Sequence, residues 1–259
     1  MKGFSAVIRG EILKVKKSRI FFGSILFFIF VSCMMGLIMF IQIYPDLAGK
    51  LGMIGNKASM MRFGEPNWQN YFNLLIQGFA GVGLVGIGFI TSWIFGREFA
   101  DHTLKDILVV PVSRSSFVLC KSVVIIAWTF ILSLVYLISG IAIGLLIGLP
   151  GYSADLWSHS GYLYMMTTLL SVPLFSPIAF FASYSRGYIF PLGVVIVTLI
   201  IANFSGLIGL GPYFPWAIPG LFGVQTGIGL NMASLPILFI TSLAGLFGTI
   251  FLWNHADQK

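Results

Sequence analysis

Long apolar runs without a charged side chain constrain this sequence more than any other feature. Six runs are present, at about 20–44, 71–95, 122–149, 162–185, 188–210 and 233–253. None has Asp, Glu, Lys or Arg in its interior, and about 20 apolar residues in a helix are enough to cross a bilayer. The sequence therefore predicts an all-α membrane protein with six transmembrane helices. We expect residues 1–259 to form a single transmembrane domain, because six spans with their loops leave no room for a soluble domain of the usual size.

Composition excludes most other classes of protein. Hydrophobic residues make up 58% of the chain and charged residues 9%, whereas an ordinary soluble domain has about 25% charged residues. A water-soluble enzyme could not cover its surface with so few charges, and a disordered chain would be far less hydrophobic. The net charge of +7 does not indicate a nucleic-acid partner, because the basic residues do not cluster on a soluble face.

Motifs for catalysis or for cofactor binding are missing from the sequence. The phosphate-binding pattern Gly-x-x-x-x-Gly-Lys-Ser/Thr does not occur, and the histidines lie far apart without a neighbouring metal-ligand motif. Gly81 to Gly86 matches Gly-x-Gly-x-x-Gly, but it lies inside an apolar run, where helix packing explains the glycines better than dinucleotide binding. We therefore predict no catalytic residues, no metal site and no cofactor bound by this chain.

The basic residues predict the orientation of the spans. Of the 15 Lys and Arg residues, only Lys50, Lys57 and Arg62 fall on one side of the predicted membrane. The others lie in the N-terminal segment, in the loop 96–121, after the fourth span and at the C-terminal end. The excess of Lys and Arg marks the cytoplasmic side. We therefore predict a multi-pass protein of the cell membrane with both termini in the cytoplasm.

Residues 1–19 have the pattern of an amphipathic helix that lies at the membrane interface. The apolar residues on one arc of the helical wheel are Phe4, Val7, Ile8, Ile12 and Val15. The basic residues largely opposite are Lys2, Arg9, Lys16 and Lys17. Glu11 and Leu13 interrupt the pattern. A basic amphipathic helix binds the headgroup layer with its cations toward anionic lipid, so membrane lipid is an expected partner. A solvated tail is the alternative.

Glycine and proline residues predict two features of the spans. Gly140, Gly144 and Gly148 are spaced four apart in the third run, which places them on one helix face and predicts close helix packing. Pro173 and Pro177 each remove a backbone donor from the fourth run, which predicts a kink or local unwinding. The spacing does not show whether the glycines pack within the chain or against another subunit.

The segment before the last span predicts a break in the helical pattern. Residues 211–232 contain three prolines, which exclude a regular spanning helix, and aromatic residues typical of the membrane interface. We interpret them as a broken, partly inserted segment on the extracellular side. A simple loop in the aromatic belt is the alternative.

The cytoplasmic loop 96–121 combines charges with an apolar helical face. Phe99, Leu104, Ile107 and Leu108 recur at helical spacing among charged residues, and Pro111 ends the pattern. A short amphipathic helix of this kind can dock in a groove of a soluble partner. A solvated loop that only fulfils the positive-inside rule would need neither its acidic residues nor its apolar face.

This loop resembles the cytoplasmic signature of ABC-2 type transporter permeases. In that family a Glu, a Thr, a Leu, a Pro, a Ser-Arg pair and a Lys recur between the second and third helices, and His102 stands here in place of the usual Gly. The resemblance implies that the loop is a coupling helix in a cleft of an ATPase subunit. The coupling residues it implies are Arg97, Glu98, Asp101, Thr103, Leu104, Lys105, Leu108, Pro111, Arg114 and Lys121.

The same resemblance implies a transport function with several partners. Two permeases, either two copies of this chain or this chain and a homologue, would work with two copies of a separate ATPase that binds ATP and Mg²⁺. The complex would export an amphiphilic substrate, such as an antibiotic, an antimicrobial peptide or a lipid, from the cytoplasm or the inner leaflet. The alternative is a nucleotide-independent channel, carrier or membrane scaffold with a cytoplasmic docking loop.

Overall fold

The computed structural model describes residues 2–44, 64–100, 112–224 and 230–255. Within these ranges the regular secondary structure is helical, and no strand occurs. The α-helices in chain order are α1 Lys2–Lys16, α2 Arg19–Ile43, α3 Trp68–Gly78, α4 Leu84–Ala100, α5 Arg114–Ile147, α6 Ala154–Ser171, α7 Phe175–Tyr184, α8 Ile189–Leu207, α9 Ile218–Val224 and α10 Ser234–His255.

The prediction of six spans is confirmed. The helical stretches long and apolar enough to cross a membrane are Arg19–Ile43, Trp68–Phe99, Arg114–Ile147, Ala154–Tyr184, Ile189–Leu207 and Ser234–His255. We call the end of the bundle with α1, the start of α5 and the end of α10 the termini side, and the other end the far side. Both ends of the predicted loop 96–121 are helical, because α4 continues to Ala100 and α5 begins at Arg114.

The early start of α5 has a local cause. Ser113 is the N-cap residue, and its side-chain oxygen accepts a hydrogen bond from the backbone N–H of Ser116 at 3.3 Å. Serine is among the best N-cap residues because it satisfies a donor that has no partner within the helix. The sequence pattern placed the start of this span at about 122, since hydropathy falls at the charged residues Arg114 and Lys121.

Two of the spans contain an irregular turn. A π-helix, Phe79–Gly83, joins α3 to α4, and a 3₁₀-helix, Val172–Leu174, joins α6 to α7. Pro173 lies in the second of these turns, where the sequence predicted a kink or local unwinding. No sequence pattern indicated the π-helix, a form that is rare and often marks a functional site.

Two of the three spaced glycines lie where α5 crosses α3. The hydroxyl of Tyr71 donates a hydrogen bond to the carbonyl oxygen of Gly140 at 2.9 Å. A Cβ atom on Gly144 would lie 2.7 Å from Cη2 of Trp68 and 2.8 Å from Cε1 of Tyr71. Gly148 has a different environment, because it is the C-cap of α5 in the left-handed conformation, with a φ of 74°. The predicted stripe of three packing glycines is therefore two packing positions followed by a helix end.

We expect the substitution Gly144→Leu to lower the stability of the folded chain by about 1–3 kcal/mol, because it forces side-chain carbons into the space of two buried aromatic rings. Thermal unfolding of the detergent-solubilised protein measures this loss. Gly23→Leu is the control, since no described atom lies within 4 Å of a Cβ at Gly23. Equal melting temperatures for both variants would contradict the close crossing.

The segment before the last span is broken, as the sequence predicted, in the part that the structure describes. It contains a 3₁₀-helix, Gly211–Tyr213, and the short helix α9, whereas residues 225–229 lie outside the described ranges. α9 packs against α6 and α3, and a Cβ on Gly223 would lie 2.7 Å from Oγ1 of Thr167 on α6. The segment therefore belongs to the packed far side of the bundle.

Candidate coupling site

The ends of the second and third spans meet under α1 on the termini side. Lys121 of α5 lies at the centre of this contact, and its side chain is 0% exposed. Its ammonium nitrogen Nζ donates to Oε2 of Glu11 at 2.9 Å, to Oε1 of Glu98 at 2.9 Å and to the carbonyl oxygen of Ile94 at 3.2 Å. A lysine ammonium has three donors, so these three acceptors satisfy it completely.

A second lysine closes the arrangement into a cluster. Nζ of Lys14 lies 2.9 Å from Oε1 of Glu11 and 3.1 Å from Oε1 of Glu98. We call Glu11, Lys14, Glu98 and Lys121 the ion cluster, in which two carboxylates face two ammonium groups. Arg97 lies at its edge, with Nη2 3.8 Å from Oε1 of Glu98 and its guanidinium 4.6 Å from the centre of the Trp93 ring.

The orientation of α1 follows from the ion cluster. Among the described side chains of α1, Glu11 and Val15, one helical turn apart, are buried against the bundle, and α1 packs mainly on α5. Phe4 and Ile12, which the sequence placed on the apolar arc, are 39% and 49% exposed. The helix turns the face with Glu11 inward because a buried ammonium group requires a charged or polar acceptor. Glu11, one of the two residues that interrupt the amphipathic pattern, is therefore the residue that attaches α1.

Opposite effects act on the pKa values of the two cluster residues in α1. Burial raises the pKa of Glu11, but the ion pairs with Lys121 and Lys14 outweigh burial and lower it below its ordinary value. Burial lowers the pKa of Lys14, but the pairs with Glu11 and Glu98 raise it above its ordinary value.

These directions fix the pH range in which the pairs stabilise the fold. The contribution of Glu11 is present above the ordinary glutamate pKa, and it is lost as the pH falls through the lowered value. The contribution of Lys14 is present below the ordinary lysine pKa, and it is lost as the pH rises through the raised value. Both residues are therefore charged, and both contributions are present, at neutral pH.

Arg114 connects the start of α5 to the end of the last span. Its Nη1 donates to the carbonyl oxygens of Trp253 at 3.1 Å and Asn254 at 3.2 Å, both in the last turn of α10. A cation near a helix C-terminus satisfies carbonyl groups that have no partner within the helix and interacts favourably with the helix dipole. The exit of the predicted coupling loop is thereby attached to the sixth span.

The structure brings together part of the predicted coupling set. Arg97, Glu98 and Lys121 meet at the ion cluster, whereas Arg114 lies apart from them at the start of α5 and binds the end of α10. The predicted coupling helix lies outside the described residues, and with it Asp101, Thr103, Leu104, Lys105, Leu108 and Pro111. The resemblance did not include Glu11 or Lys14. The sequence signal for Glu11 is a lone carboxylate in an otherwise basic and apolar helix.

In the part of the chain that is described, the site is an electrostatic contact between α1, α4 and α5. Its charged groups are paired with each other, and the four described ranges contain no group of three His, Cys, Asp or Glu residues that could hold a metal ion. A paired cluster at the junction of three helices can hold these helices in a fixed arrangement and can transmit a displacement of one to the others.

A cleft of about 200 Å³ lies elsewhere, between the π-helix, α8 and α9. Its walls are mostly small and apolar, and its polar lining residues include Gln77, Asn203 and Trp216. Gly81 of the π-helix also faces it, and no described atom lies within 4 Å of a Cβ at this position. Within the described part of the chain, Gly81 therefore lacks the close helix contact that the sequence predicted for it. The cleft is smaller than a typical pocket for a drug-sized ligand, so it would enclose only part of such a molecule.

Comparisons with known proteins identify the family. Residues 7–203 match the model of the ABC-2 family transporter protein, and the match includes Glu11, Lys14, Glu98 and Lys121. The bacitracin transport permease protein of Bacillus licheniformis is 33% identical over 190 residues, which cover 71% of this chain and 89% of the relative. No solved structure matches the chain. The match over most of the chain and the six spans agree with the resemblance of the loop, and the chain belongs to the ABC-2 family of transporter proteins as a multi-pass permease subunit.

Proposed function

We propose that this chain is the membrane subunit of an ATP-driven exporter that moves an amphiphilic antibiotic out of the cytoplasm or the inner leaflet. The observation that carries the proposal is the ion cluster, which joins the two helix ends flanking the loop that resembles the ABC-2 coupling signature. The relative named for bacitracin transport supports a peptide antibiotic as the cargo.

The energy source in this proposal is a separate ATPase. Two ATPase subunits would bind ATP and Mg²⁺, and each would receive the coupling loop of one permease. The two permeases would be two copies of this chain, or this chain and a homologue. Nucleotide-driven closure of the ATPases would displace the loops, and the ion cluster would pass this displacement to the second and third spans.

The proposal places the termini side in the cytoplasm, in agreement with the positive-inside rule. On this side α1 exposes the apolar residues Ile12 and Leu13 and the basic residues Arg9 and Lys16. An exposed face of this composition suits the headgroup layer of an anionic leaflet. The helix would therefore lie along the inner surface of the cell membrane, held to the bundle by its buried face.

Charged substitutions in the coupling loop test the proposed interface. We expect Leu104→Asp or Leu108→Asp to reduce co-purification of the ATPase about tenfold or more. Burial of a carboxylate in an apolar docking groove costs more than about 1.4 kcal/mol, the free energy that corresponds to a tenfold loss of affinity. Membrane insertion should stay normal. Affinity purification followed by quantification of both subunits measures the effect.

The control for this test is Tyr152→Asp, which places the same charge on an exposed aromatic residue of the far side. It should leave co-purification unchanged. Wild-type yields of the ATPase with both loop variants would show that the interface lies elsewhere. A purified chain that transports cargo in liposomes without any ATPase would instead support the channel or carrier.

We expect the cleft beside the π-helix to form part of the cargo path. Gly81→Leu should fill it without a clash in the free chain, because a Cβ at Gly81 meets open space. Resistance to bacitracin should fall to the level of cells without the transporter, while the ATPase stays bound. Growth inhibition and co-purification measure the two outcomes.

The matched control is Gly193→Leu on α8, a position outside the cleft that also has open space for a side chain. This variant should keep wild-type resistance. Unchanged resistance in Gly81→Leu would remove the cleft from the cargo path and leave the ATPase interface unaffected.

A further inference from the structure

Glu11 contacts the coupling site from outside the segment that resembles the family signature. It lies 110 residues before Lys121 in the chain, and its Oε2 accepts a hydrogen bond from Nζ of that lysine at 2.9 Å. Its side chain is 4% exposed although it belongs to a helix with an otherwise largely exposed surface. Burial of a carboxylate is costly unless the charge is paired, so the position of α1 depends on this contact.

The geometry of the ion cluster links three helices rather than two. Glu11 presents one carboxylate oxygen to Lys121 of α5 and the other to Lys14 of its own helix. Glu98 of α4 accepts from both lysines through a single oxygen, Oε1. The chain of contacts therefore runs from α1 to α5, from α5 to α4 and from α4 back to α1.

This closed set of contacts lies where the coupling loop leaves the membrane domain. Glu98 lies two residues before the end of α4 at Ala100, and Lys121 lies seven residues after the start of α5 at Arg114. If Glu11 were neutral, the two ammonium groups would share the single carboxylate of Glu98, and α1 would lose its strongest attachment to α5.

We propose that Glu11 is a positioning residue for energy coupling, which holds α1 across the ends of α4 and α5 so that a displacement of the loop reaches both spans together. The inference rests on the proposed function, because it needs an ATPase that moves the loop. Glu11 itself touches neither ATP nor cargo. Its role is to make the two helix ends and α1 move as one body.

The variant Glu11→Gln tests this role with nearly the same side-chain shape. In the complex of the full chain with its co-purified ATPase, we expect the ATPase to remain bound, because the loop is unchanged. Bacitracin transported per ATP hydrolysed should fall about tenfold or more. Glu11→Asp, which keeps the charge, should restore much of the ratio. A merely structural role would reduce the amount of assembled complex and leave the ratio unchanged.

A second measurement uses a native thiol under α1 and needs no ATPase. Cys120 is buried, and its Sγ lies 3.8 Å from the carbonyl oxygen of Phe4 in α1. The exposed Cys33 is first replaced by Ser, so that Cys120 is the thiol that a maleimide labels. We expect labelling of Cys120 to be about tenfold faster or more in Glu11→Gln than in the chain with Glu11, because α1 detaches from α5 more often. Asp155→Asn, which removes an exposed carboxylate on the far side, is the control and should not change the rate.

The outcomes separate this inference from the proposed function. If the wild-type chain co-purifies with no ATPase, the proposed function fails, and the coupling role of Glu11 fails with it. If the wild-type complex is coupled and Glu11→Gln has the same ratio of transport to hydrolysis and the same labelling rate, only the inference fails. A lower ratio with faster labelling supports the inference.

Discussion

Replacement of Lys121 by alanine is expected to destabilise the protein by about 3–5 kcal/mol, the cost of removing one partner from a buried ion pair. The side chain is 0% exposed and pairs with Glu11 and Glu98, both at 2.9 Å. Without it, the two buried carboxylates lose the buried cation between them and keep the partly exposed Lys14 and, beside Glu98, Arg97 at 3.8 Å. We expect a large fall in the melting temperature of the solubilised protein and in the amount of folded protein in membranes.

Two further variants show whether the loss arises from the buried charge. Lys17→Ala removes an exposed lysine nearby and should change stability by less than about 0.5 kcal/mol. The triple variant Glu11→Leu, Glu98→Leu, Lys121→Leu removes the buried charges together and should regain most of the stability, because apolar residues often replace buried ion pairs without loss. If Lys121→Ala were as stable as Lys17→Ala, the lysine would not be buried between the two carboxylates.

The second large effect is expected at Gly245, where α10 approaches the backbone of α7. A Cβ at this position would lie 2.6 Å from the carbonyl carbon of Ser176 and 2.8 Å from Cα of Pro177. A side chain could rotate away from such a contact, but the backbone of a packed helix cannot. Gly245→Val should therefore separate the two helices and cost about 3 kcal/mol or more.

The separation should also break a hydrogen bond between the helices, in which Oγ of Ser176 donates to the carbonyl oxygen of Ser242 at 2.7 Å. Thermal unfolding and the yield of folded protein again measure the effect. Gly161→Val is the matched control, since its Cβ meets no described atom within 4 Å in the middle of α6. Similar melting temperatures for the two valine variants would show that α7 and α10 are not in contact at Gly245.

Local patterns in the sequence were sufficient to predict most of the fold. Hydropathy identified all six spans, because an apolar run is a property of consecutive residues. It misplaced the start of α5, since Lys121 is charged and lowers hydropathy, yet it is buried inside the bundle. The residues next to a lysine in the chain do not show whether it is exposed or is paired with carboxylates that are far away in the sequence.

The same reason limited the prediction of the site. The resemblance singled out Glu98 and Lys121, but it gave no indication that they bind each other or that Glu11 binds both. The pair between Glu11 and Lys121 joins residues far apart in the chain, and no spacing rule covers such a distance. Gly148 illustrates a different limit, because it continues a regular spacing but has the backbone conformation of a helix end, which the spacing cannot reveal.

The order of the ion cluster along the chain has a consequence for biosynthesis. Both carboxylates, Glu11 and Glu98, are translated before Lys121. The lysine therefore enters the membrane when its counter-charges are already present, and it never has to be buried alone. Because the cluster closes only when the third span is in place, the first three spans form the shortest nascent chain in which these buried charges are balanced.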